Sequence, residues 1–421
     1  MEVLKKTVSE FSDCLVEACL STSANERVSF SNNSFSEATS GDSFKLEVRV
    51  SKGARSAYAW TNNPNNWREC VLRAKKLMLA SNPLKAESSI SDCKSVTESF
   101  TNKALLSKGV EFFKDKGELI INSIKDKVNV PNLVINKSFI TEEFMNSNLV
   151  NSKQDSSSLG VSLECAKLDS SSFDMRTSSG ANIDFNGLAD STAQMCIDSL
   201  KPKKLKPGLF NVVFDYNAVS ELISILTPSI LANNILDNNS RLVDKLGKQV
   251  ISKDLTIKDV PVIKGGTMNS SIDYEGIISE SKDLFSKGIL NCFINDLYTA
   301  NRMGVKPSGN SAGLVKRGLV SPANIVIANG DAMRDELLSD CIYVNALMGT
   351  HTANIVTGDF ALNALNAFKY DSKGITPIRD VMISANIFDL LNKPVLIGKE
   401  SRFDASLKTP LLHFEGVQVV G

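Results

Sequence analysis

The 421-residue chain holds only two histidines, His351 and His413, 62 positions apart. Zinc enzymes commonly draw two or three ligands from imidazole, so a paired-histidine helix of the HExxH kind is excluded. The eight cysteines, at positions 14, 19, 70, 93, 165, 196, 292 and 341, include no pair with the two-residue spacing of a zinc knuckle or redox motif. They read as reduced, mostly buried thiols of a cytoplasmic protein. Asp273 and Glu275 stand two residues apart. On a strand they would share a face, which makes metal binding conceivable, but a hydrated turn is the expectation. His351 precedes the run Thr357-Gly358-Asp359-Phe360. Glycine can take a backbone angle that other residues avoid, and Asp359 can bond nearby amides to hold a turn. Catalysis by Asp359 would need a second acid or a metal, and the sequence places none beside it. His351 is either a loop histidine bonded to a neighbouring carbonyl or a residue of a binding groove. His413, in an extended apolar segment, reads as structural. There is no nucleophile elbow and no phosphate-binding loop.

These residues need a scaffold, and the composition bounds it. Lys plus Arg equals Asp plus Glu at 47 each, so nothing in the bulk charge points to nucleic acid or an anionic membrane. The basic run Lys201 to Pro207 reads as a solvated linker. The best apolar run, Ile223 to Leu236, is too short to span a bilayer and is interrupted by Pro228. The N-terminus is amphipathic rather than a secretory leader. At 421 residues the chain is too long for one ordinary core, so two or three domains are expected, and 42% hydrophobic residues are enough for a globular fold.

Leu4, Val8, Phe11 and Leu15 predict a helix over residues 2–20. Phe44, Leu46, Val48 and Val50 alternate with Lys45, Glu47 and Arg49, a half-buried strand with one wet face. Residues 26–35 and 57–60 are candidate partner strands. Helices are expected over 65–79, 101–127 (weakened by Gly109 and Gly117) and 190–200. Between 130 and 189 the pattern suggests short strands split by turns at Asp155-Ser156-Ser157-Ser158 and Asp169-Ser170-Ser171-Ser172. Beyond the basic run come a strand at 210–214, a helix from Asn217 that breaks near Pro228, and β-prone runs at 255–257, 260–263, 325–328, 342–344 and 410–420. The fold class is α+β. An N-terminal layered domain with antiparallel strands spans residues 1–204, with a subdivision conceivable near 80–130. A β-rich, barrel-like domain with inserted helices spans 205–421.

The ordered set of short motifs resembles one family, the TldD/PmbA proteins, in its PmbA (TldE) branch. It comprises Ala54 to Asn62, Phe144-Met145-Asn146-Ser147, Pro207 to Phe214, Lys245-Leu246-Gly247, Ile272 to Gly276, Ser308-Gly309-Asn310 and Thr357-Gly358-Asp359-Phe360. Asn148 departs from a glycine that is usual near its position. The resemblance implies a two-branch system. TldD-type chains carry zinc on an HExxxH helix with a cysteine near the C-terminus. PmbA-type chains share the fold, lack the motif and pair with them to cleave unfolded peptides or trim precursors. Set against that motif, its two histidines fall on Tyr216 and Glu221 and its glutamate on Asn217. No cysteine lies between Ser401 and Leu411. An amide cannot take a proton from metal-bound water. The resemblance therefore implies a non-catalytic subunit with no metal or cofactor of its own, zinc being carried by a TldD-like partner. The partners expected are that chain or a second copy of this one, and extended peptides; no nucleic acid or membrane is expected. His351, Asn354, Thr357, Gly358 and Asp359 are the candidate groove residues. A stand-alone homodimeric peptide-binding or scaffold protein is the alternative.

Overall fold

The structure is a computed structural model and describes residues 2–86 and 89–420. The helix expected over 2–20 is instead α1 (Glu2–Ser9) followed by the start of β1 (Leu15–Ser31). Leu4 and Val8 do form a buried helix face. From Leu15 a ladder on one side, joined from Glu17 by a second on the other, overrides the helical spacing. β2 (Ser34–Lys52) returns through Asn32 and Asn33 at φ 49° and 64°, the mirror-image turn that tight hairpins prefer. β3 (Arg55–Thr61) completes the meander. α2 (Trp67–Ala80) covers it with Val71, Ala74 and Met78 buried, as the spacing predicts.

Then follow β4 (Thr97–Phe100), α3 (Lys103–Leu106), α4 (Val110–Ile124), β5 (Asn129–Asn146), β6 (Asn151–Lys167), β7 (Ser170–Ser178) and α5 (Phe185–Asp198). The strands expected to be short between 130 and 189 are long. Residues 155–158 lie inside β6, paired with residues 138–141 of β5. Their side chains bond across rather than turning the chain: Thr141 Oγ1 donates to Asp155 Oδ1 at 2.6 Å, and Ser157 Oγ donates to the Ser179 carbonyl at 3.1 Å. The seven strands make one sheet in the order β3-β2-β1-β5-β6-β4, with β7 on β6, antiparallel except where β4 meets β6. Two apolar cores line it, one under α1 and α2 and one under α4 and α5.

The second half contains β8 (Lys203–Lys204), β9 (Gly208–Phe214), α6 (Tyr216–Leu226), α7 (Ala232–Leu236), β10 (Ile257–Val260), β11 (Lys282–Ser286), β12 (Ile289–Leu290), α8 (Leu297–Met303), β13 (Asn324–Ile327), α9 (Arg334–Leu337), β14 (Cys341–Met348), β15 (Asp359–Asp371), β16 (Gly374–Arg379), β17 (Met382–Asn386), α10 (Ile387–Leu391), β18 (Val395–Asp404) and β19 (Leu407–Val420). β17 pairs with both β15 and β19, so the path β19-β9-β14-β15-β17 returns to β19. That closed circuit is the barrel. α6 packs into its core through Ala218, Val219, Leu222, Ile223, Ile225 and Leu226. Each large side chain buried there contributes about 1.5–3 kcal/mol of apolar transfer.

The halves meet across a buried charge network that overturns two expectations. The face of β2 expected to be wet is covered at two of its three charges: Glu47 and Arg49 are 5% and 2% exposed, while Lys45 stays exposed. The Asp273–Glu275 segment is no hydrated turn, since Glu275 is fully buried. Arg49 donates to both oxygens of Glu17, at 2.7 and 2.9 Å, and to Glu275. Arg317 donates to Glu275 at 3.1 Å. The alternation of β2 is real, but its polar face meets a second domain instead of water. Two guanidinium groups and two carboxylates inside the junction satisfy one another's charge, the condition for burying any of them.

Candidate functional site

α6 begins where β9 ends. Asp215 caps the helix, accepting from the Tyr216 amide at 2.6 Å, while the Tyr343 hydroxyl donates to its other oxygen. Burial raises the pKa of Asp215 despite the pull of Arg402. Burial, and then the Asp215 charge, also raise that of Tyr216.

The residues at the three motif positions point at protein groups. The Arg402 guanidinium lies 4.7 Å from the Tyr216 ring centroid. It also donates to Asn217 Oδ1 at 2.9 Å and to both Asp174 oxygens, at 3.1 and 3.3 Å. Glu221 accepts from the Thr350 hydroxyl at 2.6 Å. A phenol stacked on a guanidinium, an amide bonded to the same guanidinium and one carboxylate bonded to a hydroxyl do not fit a zinc ion. Among the described residues, no three His, Cys, Asp or Glu side chains come together in a way that could hold a metal ion. Arg402 lies on β18 and Asp174 on β7, so the cluster ties the two halves together. Neither residue was singled out by the sequence reading. They lie 185 and 43 positions from Asn217, and no local pattern links them.

The bond from Thr350 brings Glu221 beside the short helical turn that carries His351. His351 is exposed and its ring makes no hydrogen bond among the described residues, so the carbonyl-bonded expectation does not hold. The other candidates form one tight turn. Asn354 Oδ1 accepts from the Val356 and Thr357 amides at 3.0 and 3.1 Å, and the Gly358 amide returns to the Asn354 carbonyl at 2.7 Å. Gly358 sits at φ +84°, where a Cβ would lie 2.8 Å from Ile387 Cγ2 and 2.9 Å from the Phe388 ring. Asp359 accepts from the Thr357 hydroxyl at 2.7 Å and the Asn386 side-chain amide at 2.8 Å. The Asn386 and Thr357 bonds hold its carboxyl below the usual value. The bonds predicted for Asp359 thus come from side chains. Arg241 donates to Asn386 Oδ1 at 2.9 Å and completes the wall of an open hollow of about 440 Å³ lined by Thr357, Asp359 and Asn386. The hollow offers hydrogen-bonding groups, and its one hydroxyl–carboxylate contact, Thr357 to Asp359, lies within the turn itself.

The family model described as the PmbA/TldA metallopeptidase C-terminal domain matches residues 207–421, and that for PmbA/TldA metallopeptidase domain 1 matches 16–77. The chain belongs to the PmbA/TldD family. An uncharacterized protein of Methanocaldococcus jannaschii is 31% identical over 209 residues, 49% of this chain and 50% of that protein. Metalloprotease PmbA of Escherichia coli O157:H7 is 25% identical over 232 residues, 54% and 50% of the two chains. The matches span about half the length of these relatives. Among solved structures, TldE from Thermococcus kodakarensis superposes with a TM-score of 0.89 at 20% identity, over 100% of this chain and 99% of that one. A candidate modulator of a DNA gyrase from Thermotoga maritima gives 0.87 at 22%, again over 100% and 99%. At those identities the likeness is one of fold. The α+β class with a C-terminal barrel agrees with the expectation. No described helix is long and apolar enough to cross a membrane.

Proposed function

We propose that this chain is the metal-free member of a PmbA/TldD-type metallopeptidase pair. It would supply part of a peptide groove and the pairing surface, while a zinc-bearing TldD-like chain supplies the metal. The observation that carries this is Arg402. A side-chain cation is bonded at the start of α6, and it engages Tyr216 and Asn217 together. Those positions then hold no free acceptor set for zinc and no carboxylate to take a proton from water. The hollow around Thr357, Asp359 and Asn386 presents hydrogen-bonding groups at the start of β15. Groups of that kind hold an extended peptide through its backbone without demanding a sequence.

The deciding experiment measures native mass, zinc content and peptide hydrolysis for the complex that co-purifies with this chain at endogenous levels. The expected result is a second subunit of similar size with about one zinc per pair. Stoichiometric zinc and hydrolysis by this chain alone would overturn the reading. A zinc-free homodimer would replace it with a stand-alone peptide-binding protein.

A further inference from the structure

β3 is the outer strand of the first sheet. Its two-residue hairpin pairs Lys52 with Arg55. The closing pair of such a hairpin exchanges hydrogen bonds, and bonded and non-bonded pairs then alternate along the ladder. The backbone N–H and C=O groups of Ser56, Tyr58 and Trp60 therefore face away from β2. Among the described residues only the Trp60 carbonyl finds a partner there, Arg73 Nη2 at 2.7 Å. Beside this edge runs a groove of about 840 Å³ between β3 and the end of α2. Its walls include Tyr58, Trp60 and Leu77, 45%, 50% and 49% exposed.

At the Ser56–Tyr58 end the groove meets a second cavity, of about 280 Å³, which shares those residues and is also lined by Arg49, Arg317 and Lys316. Arg49 and Arg317 are only 2% and 8% exposed, yet among the described residues Arg49 Nη1 and Arg317 Nε have no hydrogen-bond partner. Buried guanidinium donors are rarely left unmatched. Burial, and then the Arg49 charge, hold the Arg317 pKa below its usual value. Glu17, Glu275 and Asp296 pull it the other way, so what the cavity offers a ligand is its two unmatched N–H groups and Lys316 at the rim. Lys316 is exposed and adds a third positive charge at the rim.

The strand edge and the arginines fix a direction. A peptide added antiparallel to β3 passes Thr61 first and ends at Ser56. We infer that the groove between β3 and α2 binds the C-terminal segment of an extended peptide as an added strand, with its α-carboxylate held by Arg317, Lys316 and the free N–H of Arg49. Backbone bonds along the edge give affinity, and the carboxylate pocket gives the end-specificity. This site lies on the first sheet, away from the hollow at Asp359, and it stands whether or not the chain pairs with a zinc subunit.

The test uses the full chain alone, without metal, and fluorescence anisotropy. The probe is an N-terminally fluorescein-labelled hexapeptide of alternating valine and threonine, as free acid and as C-terminal amide. The free acid is expected to bind ~10-fold or more tightly than the amide, the worth of one charge-assisted bond. Tyr58→Pro removes an N–H that is outside the ladder, a substitution edge strands tolerate, and is expected to weaken both probes. Arg317→Gln is expected to erase the difference between acid and amide. Lys316→Ala, at an exposed position where folding is not at stake, is expected to reduce it. Circular dichroism establishes that each variant is folded. Equal binding of acid and amide, no binding of either, or indifference to Tyr58→Pro overturns the proposal. So does displacement of the free acid by inorganic phosphate at concentrations comparable to the peptide's own, which would mark a small-anion site.

Discussion

Glu275→Gln is the sharpest probe of how the two halves are joined. The side chain is fully buried and accepts from Arg49, from Arg317 at 3.1 Å and from the Leu297 amide at 2.8 Å. Burial alone would raise its pKa, but Arg49 and Arg317 outweigh burial and hold it below the usual value. Glutamine keeps the volume and removes the charge. Two guanidinium groups then share one carboxylate, Glu17, which Arg317 reaches only at 3.5 Å. Removing one partner of a buried ion pair costs about 3–5 kcal/mol. Both tryptophans, Trp60 and Trp67, lie in the first half, so their fluorescence reports its unfolding while far-UV circular dichroism reports the whole chain. In urea the two signals should coincide for the parent. For Glu275→Gln the fluorescence transition should move to lower urea and separate from the dichroism. Adding Arg317→Met restores the balance of one cation to one anion and should recover more than half of the loss. A single variant within about 1 kcal/mol of the parent, or a double variant no better than the single, would refute the charge argument.

Four further outcomes follow from the same coordinates. Burial, and then the Glu275 charge, raise the Asp273 pKa to about 7, above its unfolded value near 3.8. The folded state therefore holds that proton more tightly. Its contribution to stability is full below about pH 4, is lost as pH rises through about 7, and amounts to a few kcal/mol. Thermal melting from pH 5 to 8 should show a slope in the parent that Asp273→Asn flattens. Gly358→Ala places a methyl group against Ile387 and Phe388 at a positive φ, and should cost about 1–3 kcal/mol in urea unfolding read by circular dichroism. Gly117→Ala puts a Cβ 2.0 Å from the Phe30 ring, so a residue that improves helix propensity should lower the melting temperature. Arg402→Met keeps the stem of the side chain and loses the bonds to Asp174 and Asn217; hydrogen exchange should quicken in β7 and at the start of α6.

How far the sequence carried depended on whether a pattern was local. The β9–α6 passage was legible because an apolar run, a capping aspartate and a helical apolar face follow one another within 17 residues, Phe210 to Leu226. α2 was legible for the same reason. The misread elements answer to distant partners. Leu15 and Val16 continue a helical spacing, yet pairing with Ser51 and Val50 of β2 draws them into a strand. Asp155 to Ser158 carry turn chemistry, yet β5 pairs them through. Glu47, Arg49 and Glu275 look solvated because a charge in isolation belongs in water, and only the fold places opposite charges beside them. The candidate turn at Asn354 to Asp359 was legible as a turn. Its partners Asn386 and Arg241 were not, nor was Arg402 over Tyr216, since each is brought in by strand pairing and not by sequence spacing.

The closed circuit of strands also sets a timetable for synthesis. β9 is made early in the second half, but its partner β19 begins 193 residues after β9 ends, at Leu407. At about 5–20 residues per second, a ribosome takes about 10–40 s to cover that distance. Throughout that interval β9 lacks at least one native neighbour, and both until β14 is made, and the barrel stands open. Nascent chains of this shape leave a strand edge that can pair with another chain, and such late, non-local closure is slow. The half-made barrel is therefore the form of this protein most exposed to aggregation and most in need of a chaperone's shelter.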